Sequence, residues 1–528
     1  MSSVGPSDTR RSESTVAARR KMPSVSRGGI GVEGAARLAL SGTCLVVAAL
    51  AVASWILVAA AHVGDSYGVD HVSGAWLALA QRLGEGTLYP PLYDGESFGG
   101  TRFMPIPIVL HGGLGYLIGD YLVAGKLIAY GMMAALLLVV VLVLRRERCP
   151  FPVAALLAAT LLVTGTGLGA ATWIRHDTLP VVLQLLAVVC VAWSASRRAL
   201  LGAAALCALA LAAKLSAIWA PLAIGLWLLV RDRSRLPAFA VAFLGFAVAV
   251  LGAFEAITRG RLTDNVVGLA FAGSRGLDSF DREQTRLRLI FGDGLGPVRV
   301  LVVLALVVVG AAMWRRRMTL YHVSLVVSLL VLAVVLTDRG AWSNHLLDLQ
   351  VLSIVVLGAA WGALAPLLRT GGVLLVLAAT IMAYAERVQP LRAARALVEA
   401  DSSRLPGAAR GLDPRMRLLS EDAYVPISLG QRPVVLDPFM LWSITKRYPA
   451  DRDDLVRRLD AREFDAIVLF DRPEARRTSS DVRLWYDRHH FGREIVDAIE
   501  RNYRAASKSG GKWIYQRRSE RRTVGWSR

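Results

Sequence analysis

The chain has 528 residues, 54% of them hydrophobic, and a formal net charge of +20. This composition excludes an ordinary soluble protein, and several runs of about 17–25 residues with almost no charge are candidate transmembrane helices. The arginine clusters stand directly beside these runs, which is the positive-inside pattern of a membrane protein. That pattern argues for a lipid bilayer as the partner and against nucleic acid.

The first span and the loop after it carry the most informative pattern. Residues 1–37 form a polar, basic segment that we predict to be a disordered cytosolic tail, followed by a first span at about 38–62. The loop 63–120 then lies outside. It holds Asp65 and Asp70, an amphipathic helical run between Val72 and Leu83, and Arg102 before a Pro-broken apolar piece at 103–119. We interpret that piece as re-entrant or interfacial, and a loop of this content is typical of a functional segment.

The remaining apolar runs predict about eleven transmembrane helices in all. The later spans lie at about 121–144, 151–171, 179–195, 199–213, 216–230, 237–257, 298–314, 319–336, 346–366 and 371–386. With this count every tight arginine cluster between spans falls on the cytosolic side. The count fails if 103–119 is a true crossing, because the sidedness of everything after it then reverses.

Residues 387–528 are charged and polar, and we predict that they form an extracytoplasmic α/β domain. The pattern predicts strands in RLLSEDAYVPISLG, PVVLDPFML, EFDAIVLF and KWIYQRR. It predicts amphipathic helices in ADRDDLVRRLDAREF and HFGREIVDAIERNYR. The fold class is therefore an α-helical polytopic membrane protein with a C-terminal α/β domain.

Charged and polar side chains gather at the predicted outer face. They are Asp65, Asp70, Arg102, Arg175, His176, Asp177, Lys214, Arg259, Arg261, Arg275, Arg282, Arg286, Asp338, Arg339, Asn344 and His345. Short outer loops normally avoid basic residues, so this placement favours an anionic ligand, and the planar fork of arginine suits phosphate. Simpler interpretations are an Asp177–Arg175 ion pair, a Lys214 that snorkels to the headgroups, and an aspartate that caps the first-loop helix.

Four segments in order resemble the GT-C glycosyltransferases, membrane enzymes that use polyprenyl-phosphate sugars. Examples are the protein O-mannosyltransferases and the aminoarabinose transferases. A first-loop carboxylate is followed by ALAQRLGEGTLYPPLYD at 78–94, and then come RHDTLPVVLQLLAV at 175–188, LALAAKLSAIWAPLAIGLWLLVRDR at 209–233 and WSNHLLDLQ at 342–350. The resemblance covers most of residues 38–366.

The resemblance implies a site and a reaction. Either Asp70, which we favour, or Asp65 would be the catalytic base of an inverting transfer. The donor phosphate would be bound by Arg175, Lys214, His345 and Arg102, and further substrate contacts would come from Asp177, Asn344 and Tyr89. Leu215 stands where relatives have a polar glutamine. No cofactor is expected, and the reaction is expected to be independent of metal, with a divalent cation not excluded.

The sequence thus predicts a multi-pass glycosyltransferase of the plasma membrane. It would transfer a sugar from a polyprenyl-phosphate donor to an extracytoplasmic glycan, lipid or protein. Two other functional classes are also consistent with the sequence. A transporter or flippase of an amphipathic anion predicts ionisable residues at mid-membrane depth and repeat symmetry, of which the sequence shows little. A non-catalytic membrane scaffold would instead work through its C-terminal domain.

Overall fold

The computed structural model describes residues 32–269, 280–338, 341–400, 405–474 and 486–518. Up to residue 400 the described chain is almost entirely helical. Its α-helices are α1 (Val32–His62), α2 (His71–Gly84), α3 (Pro105–Ile118), α4 (Tyr121–Arg146), α5 (Phe151–Ala159), α6 (Gly165–Thr172), α7 (Thr178–Trp193), α8 (Arg197–Ala213), α9 (Trp219–Arg231), α10 (Leu236–Thr258), α11 (Phe280–Leu295), α12 (Arg299–Trp314), α13 (Leu320–Val335), α14 (Leu346–Ala360) and α15 (Pro366–Ala400).

Several of these helices are long and apolar enough to cross a membrane. Among the described residues, six stretches meet that test by length and composition: Glu33–His62, Tyr121–Arg146, Leu236–Thr258, Ile290–Trp314, Ser343–Ala363 and Pro366–Glu386. A bent pair, Phe151–Val163 with Gly165–Thr172, adds a seventh if it is one span. The helices α3, α7, α9 and α13 are apolar but shorter. The chain is a multi-pass membrane protein, and its predicted count of about eleven spans is not established.

The predicted third span is broken rather than straight. Its two halves meet at 78°. Thr164 caps α6 by accepting a hydrogen bond from the amide of Gly167 at 3.0 Å, and its hydroxyl lies 3.1 Å from the amide oxygen of Gln350. A Cβ on Gly167 would lie 1.7 Å from the carbonyl oxygen of Leu161, so only glycine fits this turn. The break directs the end of α6 into the loop that carries Arg175.

The C-terminal region contains a four-stranded sheet. Its strands are β1 (Leu418–Ser420), β2 (Ala466–Leu469), β3 (Tyr503–Ser509) and β4 (Lys512–Arg517), in the spatial order β1-β2-β4-β3. The β1–β2 pair is parallel and the other two pairs are antiparallel. The helices here are α16 (Tyr424–Ser428), α17 (Pro438–Arg447), α18 (Pro449–Asp460) and α19 (Arg493–Asn502).

The structure confirms most of the elements predicted for this region and corrects two of them, PVVLDPFML and the second half of RLLSEDAYVPISLG, where Tyr424–Ser428 form the helix α16. Three of the four predicted strands contain β1, β2 and β4, and both predicted helices form, as α18 and α19. The segment PVVLDPFML is not a strand in its second half. Asp437 instead caps α17 and Pro438 occupies its first position, both standard signals for a helix start. The strand β3 was not predicted, because YRAASKS has no apolar run and its first two residues belong to the predicted helix HFGREIVDAIERNYR.

The first loop is joined to the C-terminal region through backbone hydrogen bonds. The amide of Phe98 donates to the carbonyl of Val434 at 2.7 Å, and the amide of Leu436 donates back to Phe98 at 2.9 Å. Helix α2 packs on the same region, because a Cβ on Gly74 would lie 2.7 Å from both the carboxylate of Asp422 and the amide of Tyr424. The division of the chain at residue 387 stays a prediction, but these contacts hold the first loop and the C-terminal region together.

Candidate functional site

Polar side chains from distant parts of the chain meet at one end of the helical region. They come from the start of α2, the segment before α3, the α6–α7 loop, the end of α8 and the start of α14. We call them the polar cluster: Asp70, Arg102, Arg175, Asp177, Lys214, Asn344 and His345. The structure thus brings together all of the predicted site residues except Asp65 and Tyr89.

Asp70 is the carboxylate of the cluster with the most open position. One of its oxygens caps α2 by accepting hydrogen bonds from the amide and hydroxyl of Ser73, at 2.9 and 2.8 Å. The other accepts from the guanidinium of Arg175. Burial alone would raise the pKa of Asp70, but the charges of Arg175 and His71 and the Ser73 hydrogen bond outweigh burial and hold that pKa below its ordinary value of 3.8. Its side chain stays 29% exposed, so an ionised carboxylate faces the surroundings at neutral pH.

Asp177 joins α8 and α14 at the start of α7. Its Oδ1 accepts hydrogen bonds from the ammonium of Lys214 at 2.6 Å and from the side-chain amide of Asn344 at 3.0 Å. Burial raises the pKa of Asp177, but the charges of Lys214 and Arg175 overcome burial and lower it. The ion-pair partner of Asp177 is therefore Lys214, while the neighbouring Arg175 pairs with Asp70.

Arg102 and His345 complete the cluster. The guanidinium of Arg102 donates to the carboxylate of Asp338 at 2.8 Å. The neighbouring Thr101 amide donates to the side chain of Asn265 at 2.9 Å, which fixes this part of the first loop against the segment that follows α10. His345 lies within electrostatic reach of Lys214, Asp177, Arg102 and Arg175. Three permanent cations thus surround one small region.

One further acid beside the cluster was not singled out from the sequence. Asp348 lies in the first turn of α14 and accepts a hydrogen bond from the indole of Trp219 at 2.7 Å. It also interacts electrostatically with Lys214 and Asp177. Its position three residues after His345, inside an apolar segment, was the available signal, because a carboxylate in such a segment needs a polar partner.

Asp65 is placed differently from Asp70. It is buried, and its carboxylate lies 2.7 Å from Nδ1 of His62, accepts from the amide of Tyr67 at 2.9 Å and lies 3.4 Å from the ammonium of Lys126. Lys126 also donates to the carbonyl oxygens of Asp65 and Tyr67, at 2.8 and 2.9 Å. This network fastens the end of α1 to α4. The geometry therefore favours Asp70 as the base, and that assignment stays a prediction.

Tyr89, predicted to contact substrate, lies outside the polar cluster. It is 1% exposed, and its hydroxyl donates to the carbonyl of Phe103 at 2.7 Å. Burial raises its pKa. Its own carbonyl accepts from Arg261 at 3.1 Å. The ring therefore supports the first loop from within, and the predicted substrate contact of Tyr89 stays a prediction.

Some predicted outer-face arginines cannot be placed in this way. Arg275 and Arg339 lie outside the described residues, and so do the side chains of Arg282 and Arg286. Among the residues that are described, no group of three or more His, Cys, Asp or Glu has an arrangement that could hold a metal ion. That the reaction is independent of metal stays a prediction.

The cluster combines two chemical capacities. An ionised, partly exposed carboxylate can take a proton from a hydroxyl group, and fixed cations nearby can bind an anion and stabilise added negative charge. In this structure the charges balance, because Arg102, Arg175 and Lys214 each pair with an aspartate. An entering anion would compete with those carboxylates for the same cations.

Comparison with known proteins rests on structure. No family model and no curated protein matches the sequence. The structure is similar to crystal structures of ArnT from Cupriavidus metallidurans. In the form bound to undecaprenyl phosphate the TM-score is 0.55, with 12% identity over 91% of this chain and 99% of that one. The apo form gives a TM-score of 0.55, with 14% identity over 90% and 98% of the two chains.

The structure is also similar to that of an oligosaccharyltransferase from Archaeoglobus fulgidus in its apo form. The TM-score is 0.51, with 10% identity over 89% of this chain and 75% of that chain. At sequence identities of 10–14% this structural similarity establishes the fold alone. The activity has to be argued from the residues of the site.

Proposed function

We propose that this chain, whose fold is that of the GT-C glycosyltransferases, transfers a sugar from a polyprenyl-phosphate donor to an extracytoplasmic acceptor. The single observation that carries the proposal is the position of Asp70. It is an ionised and partly exposed carboxylate, and it pairs with one of three fixed cations gathered at one end of the membrane helices. A base beside a set of anion-binding groups is what transfer from a phosphate-linked sugar requires.

The reaction is a displacement at the anomeric carbon. The oxygen of an acceptor hydroxyl attacks that carbon, and the bond between the carbon and the phosphate oxygen breaks. Asp70 takes the hydroxyl proton. The polyprenyl phosphate leaves with one more negative charge than it had in the donor, so cations fixed beside it stabilise the transition state more than the bound donor. Attack from the face opposite the leaving phosphate inverts the configuration.

Arg175 has a double role in this proposal. Without donor its guanidinium is bound to Asp70 and lowers the pKa of that carboxyl. A donor phosphate that draws the guanidinium to itself weakens this interaction and raises the pKa of Asp70, which makes Asp70 a stronger base when the donor is in place. Donor binding and base activation are then coupled through one side chain.

The other members of the cluster hold the donor. Lys214, Arg102 and His345 face the same region and bind the phosphate together with Arg175. Asp177 and Asn344 fix Lys214 and the start of α14, and their remaining hydrogen-bonding capacity contacts hydroxyl groups of the donor sugar. No step in this scheme calls for a metal ion.

The proposed enzyme resides in the plasma membrane, with the N-terminus in the cytosol and the polar cluster and the C-terminal region outside. The positions of the arginine clusters support this orientation. The acceptor is an extracytoplasmic glycan, lipid or protein.

The test uses purified full-length protein in lipid nanodiscs. It is incubated with polyprenyl phosphates that carry radiolabelled mannose, glucose, galactose or arabinose, together with a membrane extract as the acceptor source. The proposal predicts that label from at least one donor moves to an acceptor, and that added undecaprenyl phosphate inhibits this transfer by competition. If no donor gives up its label to any acceptor, the proposal is wrong.

A further inference from the structure

A carboxylate of the C-terminal region faces the polar cluster. Asp437 begins α17, where one of its oxygens caps the helix by accepting from the amide of Phe439 at 2.9 Å. The residue directly before it, Leu436, is hydrogen-bonded to Phe98 of the first loop. Asp437 is thereby held beside the loop that carries Arg102.

The groups around Asp437 carry, or can carry, positive charge. It interacts electrostatically with Arg102 and with the imidazoles of His71 and His490. His71 is the residue after Asp70, and its ring lies 6.3 Å from the ring of His490. The imidazole that follows the proposed base thus interacts with Asp437 and stands near His490 of the C-terminal region.

The ring of His490 is fixed by a buried network. Its Nδ1 bonds to the carboxylate of Glu421, which is 1% exposed. The second oxygen of Glu421 accepts from the hydroxyl of Tyr486 and the amide of Phe470, both at 2.7 Å. His490 is itself only 1% exposed, so the carboxylate fixes a buried ring that lies against Phe439 and Tyr486.

Aromatic rings stand beside these polar groups. Phe470 makes an edge contact with His71, with ring centroids 5.3 Å apart, and Phe439 makes one with His490 at 4.7 Å. A few polar groups set among aromatic rings form the usual lining of a site for a small polar ligand.

The position of Arg102 divides the site into two sides. Arg102 interacts both with His345, on the side of the membrane helices, and with Asp437, on the side of the C-terminal region. A lipid-linked donor reaches the site from the helices, so its phosphate belongs with His345 and Lys214. The side of Asp437 is left for the acceptor. A carboxylate there accepts hydrogen bonds from hydroxyl groups and repels a second anion.

We propose that Asp437, with His71 beside it, binds the hydroxyl groups of a sugar residue in the acceptor, so that the acceptor is a glycan. This inference rests on the proposed transfer reaction and goes beyond it, because it names the acceptor class and a residue that selects it. Asp437 is a substrate-binding residue in this scheme.

The test is a kinetic comparison of Asp437→Asn with wild type, both full-length in nanodiscs. Asparagine is as good a helix cap as aspartate, so the change keeps α17 intact and removes the charge and one strong acceptor. The acceptor probes are octyl glycosides of mannose, glucose, galactose and arabinose, and the matched non-sugar probes are octanol and a serine/threonine peptide. Asp453→Asn, on the exposed surface of α18, is the control.

The expected result has three parts. Wild type transfers label to at least one octyl glycoside in preference to octanol and the peptide. Asp437→Asn raises KM for that glycoside at least about tenfold, because a hydrogen bond from a sugar hydroxyl to a charged carboxylate is lost. KM for the polyprenyl-phosphate sugar stays the same. Asp453→Asn behaves as wild type. If Asp437→Asn lowers the unfolding temperature, Asp437→Ser, which also keeps the cap, is compared in its place.

The outcomes separate this inference from the proposed function. Transfer to octanol or to the peptide in preference to every glycoside overturns the inference and leaves the transferase in place. So does an unchanged glycoside KM in Asp437→Asn. If wild type transfers label to no acceptor at all, the proposed function falls and the inference falls with it.

Discussion

Two aspartates five positions apart in the first loop have opposite surroundings. Asp65 is buried and lies beside the ammonium of Lys126, whereas Asp70 is partly exposed and pairs with Arg175. Their sequence spacing could not separate them, because the partners lie far along the chain, on α4 and in the α6–α7 loop. Burial and pairing separate them: Asp65 serves to join two helices, and Asp70 remains open to a ligand.

The Lys126 network gives a stability prediction. Lys126→Met removes an ammonium that is fully buried and leaves the carboxylate of Asp65 without its counter-charge. Breaking a buried pair in this way costs about 3–5 kcal/mol, so the unfolding temperature in detergent should fall clearly. The control is Lys446→Met, at an exposed position of α17, which should change the unfolding temperature little. Equal unfolding temperatures for the two variants would show that the network is not structural.

The pairing of Arg175 with Asp70 gives a pH prediction. Transfer requires ionised Asp70, and Arg175 holds the pKa of that carboxyl below its ordinary value. Arg175→Gln removes this charge, so the pKa of Asp70 rises and the acid limb of the kcat/KM profile moves to higher pH. Lys214→Gln also removes a cation that binds the sugar donor, but Lys214 pairs with Asp177 and not with Asp70. The acid limb of the kcat/KM profile of this variant should therefore stay near that of wild type. A profile that does not move in Arg175→Gln excludes Asp70 as the titrating base.

At the scale of the elements, the break between α5 and α6 brings Arg175 to the cluster. Gly167→Ala would place a methyl group against the carbonyl of Leu161. We expect much less folded protein on size-exclusion chromatography and loss of transfer. Gly202→Ala in α8, where nothing lies within 4 Å of the added carbon, is the matched control and should leave the yield unchanged or slightly improved. Normal yield and activity in Gly167→Ala would mean that the break is not required.

The sequence predicted the existence of most elements better than their shape. Apolar runs and flanking arginines predicted the helices, and short segments bounded by turn residues predicted three of the four strands. The break in the third span was missed because the apolar run continues through the Thr164 cap and Gly167. The contact of Thr164 with Gln350, 186 positions away, could not be predicted either. The start of α17 at Asp437 carried a readable signal in its Asp-Pro pair, but the apolar residues before it favoured a strand.

At the scale of the whole molecule, the ordered set of four segments predicted the GT-C fold, and the structural similarities confirm that fold. The same segments predicted which residues gather in the polar cluster. They could not predict the contribution of Asp437, because it lies beyond residues 38–366 and is brought to the cluster only by the pairing of the first loop with the C-terminal region.

The proposed orientation predicts a labelling pattern. Ser507→Cys lies on the exposed surface of β3, and Ser234→Cys is exposed beside an arginine cluster between α9 and α10. In intact spheroplasts a membrane-impermeant maleimide should label Ser507→Cys at once and Ser234→Cys only after permeabilisation. The wild-type chain, whose four cysteines are buried or partly buried, provides the background. The reverse pattern would place the C-terminal region in the cytosol and rule out an extracytoplasmic site.

The central claim is that Asp70 is the catalytic base of a sugar transfer. The most direct measurement is the rate of label transfer from a radiolabelled polyprenyl-phosphate sugar by equal amounts of folded wild type, Asp70→Asn and Asp65→Asn. Both changes keep the size of the side chain and remove its charge. We predict that Asp70→Asn loses activity by about 100- to 10,000-fold, as expected for removal of a general base. Asp65→Asn should lower stability and keep most of the activity per folded molecule. Normal transfer by Asp70→Asn, or loss of transfer confined to folded Asp65→Asn, would contradict the account.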